Sequence, residues 1–327
     1  MKTHAFRVHK PGPPAAMKWE EVELPKPEAG QAIVRHTAVG FNMVDTYLRS
    51  GLYPPRGPLP MGIGIEGAGV VEAVGRGVTR VKAGDRVAYA TGMPGSYSEA
   101  RLIEADHLTR LPGWIDDETA AAMLSKGRTV EYLFNRTHKL GKGDVILFHA
   151  AAGGVGLIAC QWAKAVGATL IGTAGTDAKC RLAKRHGAAH AINYARKDFV
   201  KEVMRLTKGE GVDVVYDSVG KTTWAGSIEC TKVLGLAVSF GAASGPPPLL
   251  DLLKEGQAKS PFIHRATTVN YMTSPEIADA SARSVIRMIK NGKVGITIDH
   301  RYRLRDAPKV HRDAAARKTT GQVIMLP

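Results

Sequence analysis

The chain has 327 residues, of which 44% are apolar and 23% charged, enough for a sizeable globular core and long enough to suggest two domains. No apolar run approaches the ~18 residues of a membrane span, and residues 1–17 carry basic side chains without the apolar centre of a signal peptide, so neither a membrane protein nor a secreted one is expected. The net charge of +15 admits three readings: a solvated basic surface, an anionic ligand, or nucleic acid. Against nucleic acid, the densest basic stretch, 300–318, is broken by Asp306, Asp313 and alanines, and no basic run is interleaved with stacking aromatics.

In chain order, residues 1–124 are rich in Gly, Pro and Val. Strand-like pieces at 32–39, 69–74 and 85–90 are separated by turn signals such as Pro25-Lys26-Pro27 and Ala83-Gly84-Asp85, which predicts an irregular β-rich domain with few helices. A helix is predicted over 117–134. From about 125 to 272 the pattern becomes an alternation. Strands at 145–149, 169–173, 189–193, 212–216 and 236–240 are separated by helices at 154–166, 177–186, 197–207 and 222–233, with Gly167 and Gly187 at helix ends. Such alternation implies a doubly wound parallel sheet, whose ligands lie beyond the carboxyl ends of its strands. After 272 come one helix, 275–290, and short strand-like segments to the end. Cys160, Cys180 and Cys230 are scattered, which fits small buried residues in a reducing, cytoplasmic compartment rather than a disulfide framework.

The stretch from Gly143 to Gly156 organises the second half. An apolar strand, Val145-Ile146-Leu147-Phe148, ends in the small-residue loop Ala151-Ala152-Gly153-Gly154-Val155-Gly156, and a helix-forming run follows. Strand, tight turn and helix make a dinucleotide-binding unit: backbone N–H groups approach a pyrophosphate, and the helix start adds positive charge. The usual first glycine is Ala151 here. A tight strand-to-helix turn without a ligand is the alternative, and glycine and small polar residues on the loops 173–176, 217–220 and 241–245 of the same rim favour the dinucleotide. At the tip of the second strand, Gly172-Thr173-Ala174-Gly175 offers no carboxylate for a ribose 2′-OH. Asp177 reads as first-turn helix capping. Lys179, on the same turn, is placed to meet a 2′-phosphate, with a solvated lysine as the alternative. Together these features predict NADPH over NADH.

With the signature Gly143-Asp144 through Gly156, followed by Gln161 and Lys164, the chain resembles the quinone oxidoreductase (zeta-crystallin-like) family of the medium-chain dehydrogenase/reductase superfamily. The stretches Gly40-Phe41-Asn42-Met43-Val44-Asp45-Thr46-Tyr47, Gly64-Ile65-Glu66-Gly67, Tyr216-Asp217-Ser218-Val219-Gly220 and Thr320-Gly321-Gln322 resemble it too. The resemblance spans nearly the whole chain. It implies an α/β architecture with a Rossmann domain at 125–272 and a GroES-like catalytic domain made of 1–124 and 273–327, assembled as a homodimer. It implies catalytic roles for Asn42, Asp45 and Tyr53. It also implies cofactor contacts from Thr46, Lys126, Thr129, Ala152, Gly153, Gly154, Val155, Gly175, Lys179, Tyr194, Ser218, Phe240, Gly241, Ala242, Arg265 and Arg317, with 264–267 near the nicotinamide. For several of these a structural role is the alternative: turn capping for Asn42 and Asp45, packing for Tyr53, solvation for Lys126 and Arg317. Zinc-dependent members of the superfamily carry Cys and His where this chain has Asn42 and Ile65, and no cysteine precedes Cys160. No metal is therefore expected.

The implied activity is NADPH-dependent reduction of small quinones by zinc-free hydride or electron transfer. A quinone is already electrophilic, so the protein's task is positioning, with Asn42 or Tyr53 donating to the developing oxyanion. An enone or alkenal reductase on the same scaffold, and a nucleotide- or RNA-binding protein with little turnover, are the alternatives; a membrane or nucleic-acid partner is not expected.

Overall fold

A computed structural model of the chain describes residues 1–327, the side chains of Lys254 and Glu255 excepted. The chain forms two units: Met1–Arg128, Met272–Val285 and Ile296–Pro327 make up one, Thr129–Tyr271 and Ile286–Gly295 the other. The stretch Ile286–Gly295, expected with the first domain, joins the second. There Gln161 clasps it, Nε2 donating to the Gly295 carbonyl at 3.0 Å and Oε1 accepting the Gly295 N–H at 2.7 Å.

In the first unit β1 (Lys2–Val8) pairs antiparallel with β2 (Met17–Glu23). Strand β3 (Gln31–Gly40) is central to a larger sheet. α1 (Met43–Ser50) follows it, and β4 (Met61–Gly62) joins β1. Strands β5 (Glu66–Val74), β6 (Arg86–Ala90), β7 (Ala100–Glu104) and β8 (Thr109–Arg110) complete the antiparallel pairings on β3 and its neighbours. Ala32, Val34, Val71, Val87, Tyr89 and Ile103 form one apolar core of this sheet. Helix α1 is absent from the sequence reading, which expects few helices here. It forms because Asn42, in extended backbone, caps it reciprocally with Asp45, and Gly51 ends it in the left-handed conformation.

Helix α2 (Asp117–Tyr132) runs out of the first unit into a π-type turn, Leu133–Thr137. The second unit is a six-stranded parallel sheet. Its strands are β9 (Val145–Phe148), β10 (Thr169–Ala174), β11 (His190–Asn193), β12 (Val212–Asp217), β13 (Thr231–Ser239) and β14 (Phe262–Arg265), in the spatial order β11-β10-β9-β12-β13-β14. That is the doubly wound order 3-2-1-4-5-6 of dinucleotide-binding sheets. Helices α3 (Gly154–Val166), α4 (Asp177–Arg185), α5 (Phe199–Leu206) and α6 (Trp224–Glu229) connect the first five strands, and α7 (Leu252–Gln257) and α8 (Thr268–Tyr271) flank β14. Strand interiors are apolar and buried, as at Ile146, Leu147, Ile171, Val214 and Val215. The helix expected at 222–233 stops at Glu229. Thr231 starts β13, and its hydroxyl takes the Ile228 carbonyl at 2.8 Å, closing the helix end.

From α9 (Pro275–Lys290) the chain returns through β15 (Ile298–Arg303), α10 (Ala307–Ala315) and β16 (Gln322–Leu326). Strand β16 pairs antiparallel with β3, at Ile324 with Gly40 and Met325 with Val39. Beyond the expected helix at 275–290, only strands are predicted from the sequence. Ala307, Val310, His311 and Ala314 recur at helical spacing and bury against Phe41, Leu48 and Tyr97, which makes 307–315 a helix despite its basic residues.

Candidate functional site

The nucleotide loop follows from packing at its two ends. Ala150 takes a positive φ of 55°, Ala151 N–H donates to the Thr173 carbonyl at 3.0 Å, and Gly153 N–H donates to the Ala150 carbonyl at 2.9 Å. A Cβ on Gly156 would lie 2.5 Å from the Ala150 oxygen. A Cβ on Gly172 would lie 2.6 Å from the Ala151 methyl. The alanine in place of the usual glycine is thus accommodated by a glycine on the neighbouring strand. Gly153 caps α3 with no side chain, leaving the backbone at Gly153–Val155 uncovered by a Cβ at the cap and the helix's positive end behind it. This is the shape a pyrophosphate needs.

The rest of the rim is fixed by a buried polar chain that sequence reasoning missed. Asp217, at the end of β12, accepts from Val219 N–H (2.7 Å), Gly220 N–H (2.9 Å), Thr223 Oγ1 (2.7 Å) and Ser227 Oγ (2.7 Å). Because Ser227 spends its proton on Asp217, it accepts from His149 Nε2 at 3.0 Å, and His149 Nδ1 then accepts from Thr173 Oγ1 at 2.8 Å. Burial pushes His149 down, with Asp217 opposing, so the ring serves as a neutral link. The chain ties the ends of β9, β10 and β12 together. Ser218, Gly241 and Ala242 meet on this rim. A Cβ on Gly241 would lie 2.5 Å from the Ser218 carbonyl, and Phe240 N–H donates to the Asp217 carbonyl at 2.8 Å.

At the tip of β10 the Tyr194 hydroxyl lies 2.9 Å from where a Gly175 Cβ would stand. Thr176 caps α4 by accepting the Lys179 N–H at 3.2 Å. Asp177 takes Asn193 Nδ2 at 2.7 Å and Arg196 at 2.8 Å. The Asn193 hydrogen bond, then the cations Arg196 and Arg181, hold its carboxyl below the usual range. Asp177 is therefore engaged within the fold, and Arg196 is a second cation at this corner that the sequence reading overlooked.

In the first unit Glu66 is wholly buried and accepts from Asn42 Nδ2 (2.9 Å), Lys126 Nζ (2.9 Å) and the Ser125 N–H (2.8 Å). Lys126, 6% exposed, is not solvated; its ammonium is paired with Glu66 at 2.9 Å. Asp45 is fully buried. Its Oδ2 accepts the Asn42 N–H at 2.8 Å and the Tyr97 hydroxyl at 3.0 Å, while Oδ1 has no partner. Burial raises its pKa to about 7 against those hydrogen bonds. Tyr53 is half-buried and packs edge-on to Tyr47 at 5.1 Å. Thr46 Oγ1 bonds the Met43 carbonyl at 2.7 Å. Arg317 is exposed just past α10 at a φ of 57°. In the second unit Thr129 is half-buried, and Arg265 on β14 is exposed and donates to the Ser239 carbonyl at 2.9 Å. Ile65 packs beside the apolar core. Among the described residues no group of three His, Cys, Asp or Glu side chains is arranged to hold a metal ion.

The profile of the alcohol dehydrogenase GroES-like domain matches residues 28–113, and that of the zinc-binding dehydrogenase family matches residues 154–281. The chain is 48% identical over 316 residues to a quinone oxidoreductase of Pseudomonas aeruginosa, covering 97% of each chain. It is 39% identical over 325 residues to a 2-haloacrylate reductase of a Burkholderia species, covering 98% of each. The crystal structure of Escherichia coli quinone oxidoreductase complexed with NADPH superimposes with a TM-score of 0.96 at 42% identity, covering 99% of this chain and 100% of that one.

Proposed function

This chain belongs to the quinone oxidoreductase family of the medium-chain dehydrogenase/reductase superfamily, and from that premise we propose that it catalyses NADPH-dependent reduction of quinones without zinc. The carrying observation is the 48% identity along 97% of the chain, together with a glycine loop whose Cβ-free backbone suits a pyrophosphate. Bound NADPH supplies the reducing hydride. The chain's own residues do the rest. The backbone from Ala152 to Val155 holds the pyrophosphate, with Gly175, Ser218, Gly241 and Ala242 lining the same rim. Lys179, Tyr194 and Arg196 frame the 2′-phosphate.

In the first unit an amide nitrogen carries two hydrogens. Glu66 takes one from Asn42, and the second is assigned to the quinone oxygen, with the Tyr53 hydroxyl as a further donor. Small benzoquinone- or naphthoquinone-type acceptors suit a chain with no long apolar segment for a lipid tail. Zinc-free chemistry is supported by Asn42 and Ile65, which lack the thiolate and imidazole that zinc prefers. Steady-state kinetics of Tyr53→Phe and Asn42→Ala test the assignment. Each variant should lose about tenfold or more in quinone turnover, less than the hundred- to thousandfold typical of an oxyanion donor, because a quinone accepts electrons readily. Unchanged turnover in both variants would remove these residues from the site.

We also propose a homodimer. Strand β14 is the edge of its sheet, with Phe262 64% and Ile263 39% exposed. Leu249, Leu252, Leu253 and Val269 are exposed on the flanking segments. An open apolar edge of this kind is covered by a second copy pairing strand to strand about a two-fold axis.

A further inference from the structure

We propose, building on the quinone-reductase reading, that Tyr97, His311 and Arg49 are positioning residues: a buried hydrogen-bonded relay that keeps Asp45 an acceptor and thereby holds the Asn42 amide in place for reduction. The relay joins distant parts of the first unit. Tyr97 precedes β7, His311 lies on α10, Arg49 and Asp45 on α1. Arg49 Nε donates to His311 Nδ1 at 3.1 Å, so that nitrogen is the acceptor and Nε2 carries the ring's proton. His311 Nε2 then donates to the Tyr97 oxygen at 3.2 Å, and Tyr97 donates to Asp45 Oδ2 at 3.0 Å. Every bond points towards Asp45. That same Oδ2 accepts the Asn42 N–H, and Asn42 in turn reaches Glu66. Tyr97, His311 and Asp45 are at most 1% exposed. Apolar groups of the same shape would avoid the cost of burying this chain, so its arrangement calls for a role beyond packing.

The groups facing Asp45 are the Asn42 N–H and the Tyr97 hydroxyl, Lys126 on α2 and Glu66 on β5. Burial, with Glu66 adding to it, drives the carboxyl towards protonation. The two hydrogen bonds and Lys126 oppose this, leaving the balance at about 7. His311 does not itself titrate near neutrality, since burial, aided by Arg49, lowers it to about 3. Tyr97, held in place by His311, therefore sets part of how far Asp45 is ionised at working pH, alongside burial and the Asn42 N–H. An ionised Asp45 grips the Asn42 N–H at the start of α1; a protonated one grips it less.

The test compares wild type, Tyr97→Phe, His311→Gln and His311→Leu by the pH dependence of quinone kcat and by KM for NADPH. A second readout without substrate is the pH dependence of the unfolding midpoint, with Asp45→Asn as reference. Losing the Tyr97 hydroxyl should move the rising limb of kcat up by about one to two pH units, the worth of a hydrogen bond to a charged group. KM for NADPH should stay unchanged. Glutamine offers one donor and one acceptor, as the neutral imidazole does, so His311→Gln should keep the wild-type profile and His311→Leu should shift like Tyr97→Phe. Asp45 is raised in the fold. Its stabilising contribution is therefore present below the unfolded value of about 3.9 and is lost as pH rises through about 7. Tyr97→Phe should extend that loss to higher pH, and Asp45→Asn should remove it. Loss of kcat by an equal factor at every pH, with an unshifted unfolding profile, would overturn the relay. If the unfolding profile shifts while wild type turns over no quinone, the relay stands and the quinone reading fails.

Discussion

Lys179→Ala isolates the choice of cofactor. Lys179 sits in the first turn of α4, its N–H held by Thr176, beside the Gly175 tip of β10. The carboxylate of Asp177 at this corner is taken by Asn193 and Arg196, so it neither reaches for a ribose hydroxyl nor repels a phosphate at full strength. A charge-assisted contact to a 2′-phosphate contributes about 1.5–3 kcal/mol. Lys179 is only half-buried, so solvent and salt screening put the expected loss at the lower end, about tenfold in NADPH affinity. Arg196→Ala should cost less, since Arg196 is 74% exposed, and the double variant should fall short of the product of the two because one cation partly compensates for the other. NADH has no 2′-phosphate, so its affinity should change by less than about twofold. Fluorescence titration of both nucleotides provides the comparison. Equal weakening of NADPH and NADH by Lys179→Ala would mean that the lysine does not touch the phosphate and that the selectivity argument is wrong.

Lys126→Met leaves Glu66 buried without its cation. Removing one partner of such a pair costs about 3–5 kcal/mol, and the lower end is expected because Asn42 and the Ser125 N–H remain; denaturant unfolding measures it, and a loss under about 1 kcal/mol would contradict the pairing. Phe262→Asp, on the open edge of β14, should convert dimer to monomer in analytical ultracentrifugation, whereas a wild type already monomeric at micromolar concentration would dismiss the dimer. Exhaustive chelation should leave quinone turnover unchanged, and restoration of lost activity by zinc would refute zinc-free chemistry.

The second unit was largely legible in the sequence. Parallel strands buried on both faces announce themselves as apolar runs, and glycines punctuate their ends, so β9 to β12, the second half of β13 and α3 are legible from local pattern alone, whereas 231–233, the start of β13, reads as helix. Edge strand β14 was not. It is short and has exposed apolar residues, so it carries neither the buried-run nor the alternating signature. Helix α10 is obscured by basic residues that read as a charge cluster, while Ala307, Val310, His311 and Ala314 carry a helical period beneath. The site divides the same way. The glycine loop is a matter of local backbone and was visible. The Asn42–Glu66–Lys126 cluster and the Asp45–Tyr97–His311–Arg49 relay depend on bonded residues up to 262 positions apart, and no local window holds them. The pairing of Lys126 with Glu66, 60 positions away, is out of reach of local pattern for the same reason.

NADPH oxidation by the wild-type protein, followed against a panel of benzoquinones, naphthoquinones, alkenals and 2-haloacrylate under one set of conditions, decides whether this is a quinone reductase. NADPH-dependent turnover of the quinones is expected, with kcat/KM well above that for every carbon–carbon double-bond substrate. Robust reduction of an alkenal or of 2-haloacrylate with no quinone turnover would instead make the protein an enone reductase.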